Sequence, residues 1–425
     1  MKYAIFGGSF DPFHNGHKLL AEEALTCIEG VCERQLENCG TRVIFVPAYQ
    51  SPFKVANQKD NCAQRIEMLL AAISGDTRFT VDTCEVSRQG ISYTIDTLND
   101  ILERYRSDTK IAMLVGDDLL ADFHKWRGAD EIAAKADLII AHRTNELLDF
   151  HYPHTMLDND VIQISSREVR SLIASGRQWE HLVPSQTACL IKERGYYEYK
   201  NKNHHGRAAG YFCSPEELHS GSNKRNIVEI EDTVRGMLNQ HRFIHSRNAA
   251  LHCYDLCVRF GIDPTRGYIA GITHDMCKDF SDAQLIDLAR KDGLPFSELE
   301  KRKPQLLHGR AAAIFLQERF GFDNKKDHSL IEAVRYHTSG ISTIDDLGKI
   351  VYLTDKIEVG RYTVDPMLRR IAFTSKGADK TLEQIFRIVL EATYEYLVNR
   401  GHAVSKDTLD LLRTPSFSNS EESCE

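Results

Sequence analysis

Short, nearly continuous apolar runs recur early in the chain, at 2–6 (Lys-Tyr-Ala-Ile-Phe), 42–46 (Arg-Val-Ile-Phe-Val), 79–81, 111–115 (Ile-Ala-Met-Leu-Val) and 137–141 (Asp-Leu-Ile-Ile-Ala). Strands buried on both faces of a parallel sheet have this pattern. Between them, segments 17–36, 61–74 and 94–105 carry apolar residues at helical spacing, so strand and helix alternate. The alternation predicts an α/β unit with a Rossmann-like, doubly wound parallel sheet, whose sixth strand is expected at 160–164. From about 228 to 400 the period is helical throughout, notably at 246–260, 282–291, 310–320, 328–337 and 380–399, which predicts an all-α bundle. Residues 198–225 are poor in apolar positions and rich in Lys, Asn, Gly and Ser, so a linker is placed there. The expected division is 1–197, a linker at 198–227, a helical domain at 228–402 and an extension at 403–425 ending in a polar, acidic tail.

Composition agrees with two domains. A chain of 425 residues exceeds one ordinary hydrophobic core. With 42% apolar and 27% charged residues and no apolar run approaching ~18 residues, a soluble cytoplasmic protein without a membrane span is expected. The start, Met-Lys-Tyr-Ala-Ile-Phe-Gly-Gly, reads as a strand entering a turn, not as an export signal. A net charge of −8 argues against a nucleic-acid-coating protein. The eleven cysteines are odd in number and scattered, which suggests free thiols in a reducing compartment. Three of them, Cys27, Cys32 and Cys39, lie in a long first crossover at 26–41. Of the eighteen histidines, ten fall between His204 and His337, so metal ligation there needs testing.

The first strand runs into Gly7-Gly8-Ser9-Phe10-Asp11-Pro12-Phe13-His14-Asn15-Gly16-His17, followed by a helix. Two glycines let a ligand approach the backbone, and the helix start offers free N–H groups to phosphate. His14 and His17, three apart, can address one anion. Neither of the better-known glycine-rich phosphate signatures is present in this turn. A second helix start, Ser165-Ser166-Arg167-Glu168-Val169-Arg170, combines a capping box with hydroxyls and arginines. Two such sites in one α/β unit suit a substrate with a long phosphate chain, and nucleotidyl transfer needs positioning and charge neutralisation more than a protein nucleophile.

These strings resemble the HxxH/HxGH nucleotidylyltransferase superfamily, and within it the nicotinate-nucleotide adenylyltransferases, over residues 1–197. Further matches are Pro47 to Lys54, Ser92 to Leu98, and Gly116-Asp117-Asp118 with Trp126. The resemblance implies that His14 and His17 hold ATP phosphates, Ser166 and Arg170 the departing pyrophosphate, and Lys54 further charge. Gly7, Gly8, Ser9, Phe10, Gly116 and Ser165 would complete the ATP site, and Thr94, Asp117 and Trp126 would line the base and pyridine pockets. ATP with Mg²⁺ and nicotinate mononucleotide are the implied ligands. Arg143-Thr144-Asn145 stands where the family has Arg-Pro-Gly, a departure that touches substrate binding.

In the helical half, His245, the adjacent His274 and Asp275, His308, His337 and Asp355 form a ligand set suited to a dinuclear iron or manganese site. Adjacent residues on a helix diverge by ~100°, so His274 and Asp275 can share a metal only where a helix end points at it. The surrounding strings resemble HD-domain symmetrical bis(5′-nucleosyl)-tetraphosphatases over about 230–400, with Val359 where the family has proline. That resemblance implies hydrolysis of diadenosine tetraphosphate to two ADP, with Asp275 and Lys278 serving catalysis and Lys278 reaching substrate phosphate. His241 and His252 are read as non-ligands. The alternatives are nicotinamide mononucleotide or phosphopantetheine as the acceptor of AMP, and a helical half that cleaves another nucleotide or merely senses one. Nucleic acid and membrane are not expected as partners, and the oligomeric state, a homodimer included, stays open.

Overall fold

The computed structural model describes residues 2–30, 41–52, 61–105, 111–144, 150–161, 163–199, 227–361, 364–373 and 379–413. The chain divides into two compact units, Met1–Lys224 and Arg225–Glu425.

In the first unit, β1 (Lys2–Gly8), β2 (Thr41–Pro47), β3 (Phe79–Val81), β4 (Ile111–Gly116), β5 (Ala136–Ala141) and β6 (His154–Met156) form one sheet. Their order is β3-β2-β1-β4-β5-β6 and every pairing is parallel, the doubly wound topology expected from the alternation. Every residue of β2 is buried, which explains its unbroken apolar run. The strand order reverses between β1 and β4, so Gly7, Gly8 and Gly116 end at the crevice where such sheets bind ligands. The helix Thr94–Tyr105 coincides with its predicted span and buries Ile95, Leu98, Ile101 and Tyr105.

The sixth strand is a correction. It lies at His154–Met156, before the predicted 160–164, and all three of its residues are exposed. Backbone pairing continues to Leu157 N–H, which donates to Ile140 O at 2.8 Å. The Asn159 side chain then takes over: its Oδ1 accepts from His142 N–H and its Nδ2 donates to His142 O, both at 2.9 Å. A side-chain amide there replaces the next backbone rung. The later part of the predicted first helix, with Cys32 and Cys39, and most of the predicted linker lie outside the described residues. Cys27 is described, half-buried and not in a disulfide.

The second unit is helical throughout its described residues. Helices Gln240–Phe260 and Pro264–Thr273 pack closely enough that a Cβ on Gly271 would stand 2.5 Å from Ala250 Cα. A second close approach lets the helix starting at His308 meet the 334–337 segment, since a Cβ on Gly309 would lie 2.8 Å from Arg335 O. Both approaches serve to bring histidines together. No helix among the described residues is long and apolar enough to cross a membrane.

Candidate active sites of the two units

At the end of β1, Gly7 is exposed with open space where a side chain would stand. Phe10 takes a positive φ of 49° and is buried beside Phe13, Phe45 and the His17 ring, so aromatic packing holds the turn. The His14 and His17 rings stack with centroids 3.6 Å apart. His14 N–H donates to His17 Nδ1 at 3.2 Å and His17 N–H to His14 Nδ1 at 3.3 Å. Those bonds use the Nδ1 lone pairs and leave the ring protons on Nε2. Burial, aided by the charge of Arg143, lowers the His14 pKa to about 3, so His14 is a neutral N–H donor at physiological pH.

The second predicted anion motif meets the first. Ser165 Oγ caps the helix Ser166–Ser175 by accepting from Glu168 N–H, which is the forward half of the predicted box. Ser166 Oγ donates to Pro12 O at 3.0 Å, and the Arg170 guanidinium donates to Asp11 O and lies 3.4 Å from Asp11 Oδ2. Asp11 Oδ1 also accepts from Asn61 Nδ2 at 2.9 Å and Tyr197 OH at 2.8 Å. Two helix starts, two histidines and an arginine thus surround one turn.

Around them, the structure joins strings that are distant in sequence. Ser92 Oγ accepts from Tyr49 N–H at 3.0 Å, and Ser92 N–H donates to Gln50 O, so the segments after Pro47 and before Thr94 run side by side. Thr94 opens its helix half-buried, and Trp126 stands half-buried against Phe123, centroids 4.9 Å apart. Asp117 is buried at the end of β4, where its Oδ1 accepts from Arg143 N–H at 2.9 Å and Thr144 N–H at 3.0 Å. Its carboxylate therefore fixes the loop that departs from the family pattern. Lys54 lies outside the described residues.

Sequence reasoning missed Arg65. Its buried guanidinium donates to Ser9 O at 2.6 Å, Ala48 O at 2.7 Å and Asn61 Oδ1 at 2.9 Å, holding together the two loops that follow β1 and β2.

In the second unit, His274 and Asp275 stand just past the end of helix Pro264–Thr273, the helix-end placement their adjacency requires. Three histidines share one device. The Nδ1–H of His274 donates to Gly271 O (2.6 Å), of His308 to Gln305 O (2.6 Å) and of His337 to Val334 O (2.7 Å). Each bond fixes the ring and leaves an Nε2 lone pair. His245 does the same with a carboxylate, its Nδ1 lying 3.1 Å from Glu358 Oε1.

All four Nε2 atoms converge on Asp275 and Asp355. Asp275 Oδ1 is 2.9 Å from His308 Nε2 and 3.3 Å from His337 Nε2, while its Oδ2 is 3.9 Å from His245 Nε2 and 3.8 Å from His274 Nε2. Asp355 Oδ1 lies 3.2 Å from His245 Nε2 and 3.6 Å from His274 Nε2. Burial lowers the His337 pKa to about 3, against the pull of Asp275, so that ring stays neutral. Burial pushes the Asp275 carboxyl up, but its histidine neighbours, His274 foremost, outweigh it and hold Asp275 well below the usual carboxylate range.

This donor set fits divalent metal. The buried Nε2 atoms of His245 and His274 have no hydrogen-bond partner, and the Nε2 atoms of His308 and His337 face each other at 3.0 Å. Two ring nitrogens this close, each on a ring whose Nδ1–H is already committed to a carbonyl, call for a cation between them. Each Asp275 carboxylate oxygen lies within 3.9 Å of two histidine Nε2 atoms. Lys278 Nζ stands 3.0 Å from His308 Nε2 and 3.3 Å from Asp275 Oδ1. His241 is exposed and His252 packs on Phe373 at 4.5 Å, and neither belongs to the possible metal groups. Glu358 and Arg361 were given no role by the sequence. Arg361 Nη2 donates to Asp355 Oδ1 at 2.7 Å and Lys356 Nζ to Asp355 Oδ2 at 2.6 Å.

The fold and the two sites define a nucleotide-binding α/β unit joined to a helical metal-binding unit. Comparison with known proteins agrees: residues 5–172 match the cytidylyltransferase-like family and residues 242–360 the HD domain. A probable nicotinate-nucleotide adenylyltransferase of Borrelia garinii is 33% identical over 198 residues, 46% of this chain and 95% of that protein. One of Treponema pallidum is 34% identical over 212 residues, 46% of this chain and 99% of that protein. Among solved structures, a predicted HD superfamily hydrolase involved in NAD metabolism from Clostridium acetobutylicum is 26% identical, covers 43% of this chain and 93% of its own, and has a TM-score of 0.39. The chain belongs to the nicotinate-nucleotide adenylyltransferase family through its first unit and carries an HD domain in its second.

Proposed function

We propose that the first unit transfers AMP from Mg²⁺-ATP to nicotinate mononucleotide, giving deamido-NAD and pyrophosphate. The observation that carries this reading is the meeting of His14 and His17 with Ser166 and Arg170 around the Asp11–Pro12 turn. The acceptor's 5′-phosphate attacks the α-phosphorus of ATP, so no protein nucleophile is required. His14 and His17 stabilise charge on the reacting phosphates through their Nε2 protons, Ser166 and Arg170 receive the pyrophosphate, and Lys54 adds positive charge. Gly7 to Phe10, Gly116 and Ser165 shape the ATP site, while Thr94, Asp117 and Trp126 order the base and pyridine pockets, Trp126 by stacking.

We further propose that the second unit is a metal-dependent phosphohydrolase that adds water to diadenosine tetraphosphate and releases two ADP. The convergence of four histidine Nε2 atoms on two buried aspartates carries this reading. A divalent pair, iron or manganese, would supply Lewis acidity and lower the pKa of water there. His245, His274, His308, His337, Asp275 and Asp355 hold that pair, and Lys278 reaches substrate phosphate. Residues 1–197 and 228–402 carry the two activities, with 198–227 joining them. The cytoplasm suits an enzyme that uses ATP and keeps its described cysteines as thiols.

Pyrophosphate release measured with nicotinate mononucleotide, its amide and phosphopantetheine tests the first reading. Preference for the nicotinate acceptor is expected, and preference for phosphopantetheine overturns it. Metal-loaded protein should convert diadenosine tetraphosphate to ADP alone. ATP and AMP as products would overturn symmetrical cleavage, and no turnover of any nucleotide would overturn the hydrolase reading.

A further inference from the structure

In the first unit, the last turn before residue 200 is strained. Tyr197 and Glu198 take positive φ angles of 59° and 60°, where the Cβ of an ordinary residue crowds its own backbone. Residues other than glycine keep such geometry only where their surroundings hold them in it. Here the side chains supply the hold. Tyr196, Tyr197 and Tyr199 pack against the core that contains Met68, Val169, Ile173 and Trp179. Tyr196 OH donates to Glu67, a carboxylate otherwise paired with Arg194. Tyr197 OH instead reaches 186 residues back along the sequence and donates to Asp11 Oδ1 at 2.8 Å.

Asp11 is buried in the turn where His14, His17, Ser166 and Arg170 meet. A carboxylate beside a site for phosphates opposes them unless donors take up its charge. Its two oxygens are divided between partners. Oδ1 accepts from Tyr197 OH and from Asn61 Nδ2, while Oδ2 lies 3.4 Å from the Arg170 guanidinium. Asn61 is itself oriented, since its Oδ1 accepts from Arg65 Nε at 2.9 Å. Two donors on one oxygen fix the rotation of the carboxylate, and that rotation decides which oxygen Arg170 meets. Arg170 also donates to Asp11 O and keeps 31% of its side chain exposed, so it is anchored by Asp11 and still open to a ligand. Burial, with the Asp11 charge beside it, pushes the Tyr197 hydroxyl pKa up, so the group stays a donor at physiological pH. Without that hydroxyl, Oδ1 keeps a single donor, and the less satisfied carboxylate draws the guanidinium towards itself.

We propose that Tyr197 is a positioning residue for adenylyl transfer: by holding Asp11 Oδ1 it sets the Arg170 guanidinium towards the departing pyrophosphate. The inference rests on the adenylyltransferase reading and adds to it a residue that lies outside both phosphate-binding strings. Tyr197→Phe in the full chain tests it, because the ring stays and only the hydroxyl goes. Tyr196→Phe, which removes the neighbouring tyrosine–carboxylate bond, is the control. In Tyr197→Phe, kcat for AMP transfer should fall about tenfold and the inhibition constant of pyrophosphate should rise by about as much, since a hydrogen bond to a charged group is lost. KM for nicotinate mononucleotide should stay within about twofold, and so should pyrophosphate inhibition of Tyr196→Phe. Unchanged pyrophosphate inhibition in Tyr197→Phe overturns the proposal. An equal shift in both variants also overturns it, as does a change of tryptophan emission in Tyr197→Phe with every constant moved alike, because either marks a loss of packing. If the wild-type chain transfers AMP to no acceptor, the adenylyltransferase reading fails instead, and calorimetric titration with pyrophosphate then decides the role of Tyr197. Weaker binding by Tyr197→Phe alone supports positioning of Arg170; equal or undetectable binding in wild type and variant overturns it.

Discussion

Of the four histidines that converge on Asp275 and Asp355, three are oriented by backbone carbonyls and His245 by the buried carboxylate of Glu358. A carbonyl fixes a ring, whereas a carboxylate also makes it a stronger donor to a metal ion. Glu358 is itself held by Gly360 N–H at 2.6 Å, so its position is set by the turn that ends helix Asp346–Ile357. Glu358→Gln should therefore weaken metal binding about 10–100-fold, read by equilibrium dialysis with elemental analysis, with helical circular dichroism unchanged. Unaltered affinity would reduce Glu358 to a packing role. The six proposed ligands, which the structure brings together, were legible because they recur in order within recognisable strings. Arg65 was not, because an arginine on an amphipathic helix reads as a solvated cation. Its partners, Ser9 O and Ala48 O, are carbonyls that only the folded sheet brings near.

Strands β1 to β5 were legible because burial on both faces writes itself into continuous apolar runs, while β6 was not because its three exposed residues carry no such mark. Apolar spacing also located the main helices of the second unit, but it says nothing of the charges inside them. Helices Ile227–Met237, Gln240–Phe260 and Pro264–Thr273 are joined by Glu231, which accepts from Arg247 Nε and from Tyr268 OH, each at 2.8 Å. Arg247 and Glu231 are 1% and 0% exposed. Glu231→Ala removes the carboxylate that faces this buried guanidinium and should cost about 3–5 kcal/mol of the second unit's stability. Urea unfolding followed by circular dichroism measures this, and a loss under about 1 kcal/mol would show that the charge finds another partner. Since Gln240–Phe260 carries His245 and packs on the helix that ends at His274, metal retention should decline as this unit loosens.

At the scale of the whole chain, the residues proposed for each chemistry fall within one unit. The groups proposed for adenylyl transfer fall between Gly7 and Arg170, and the proposed metal ligands between His245 and Asp355. The two proposed sets share no residue, so the two proposed activities should be separable by single substitutions in the intact protein. His17→Ala removes one imidazole from the phosphate turn and should lower adenylyl transfer by about 10²-fold or more, leaving hydrolysis and metal content at wild-type levels. His274→Ala removes a proposed ligand and should abolish hydrolysis and lower bound metal, while transfer is spared. The two tryptophans, Trp126 and Trp179, both lie in the first unit, so their fluorescence reports that unit's folding separately in each variant. Loss of both activities in either variant, with tryptophan emission and helical circular dichroism intact, would mean that the units depend on one another and that the chain works as one enzyme.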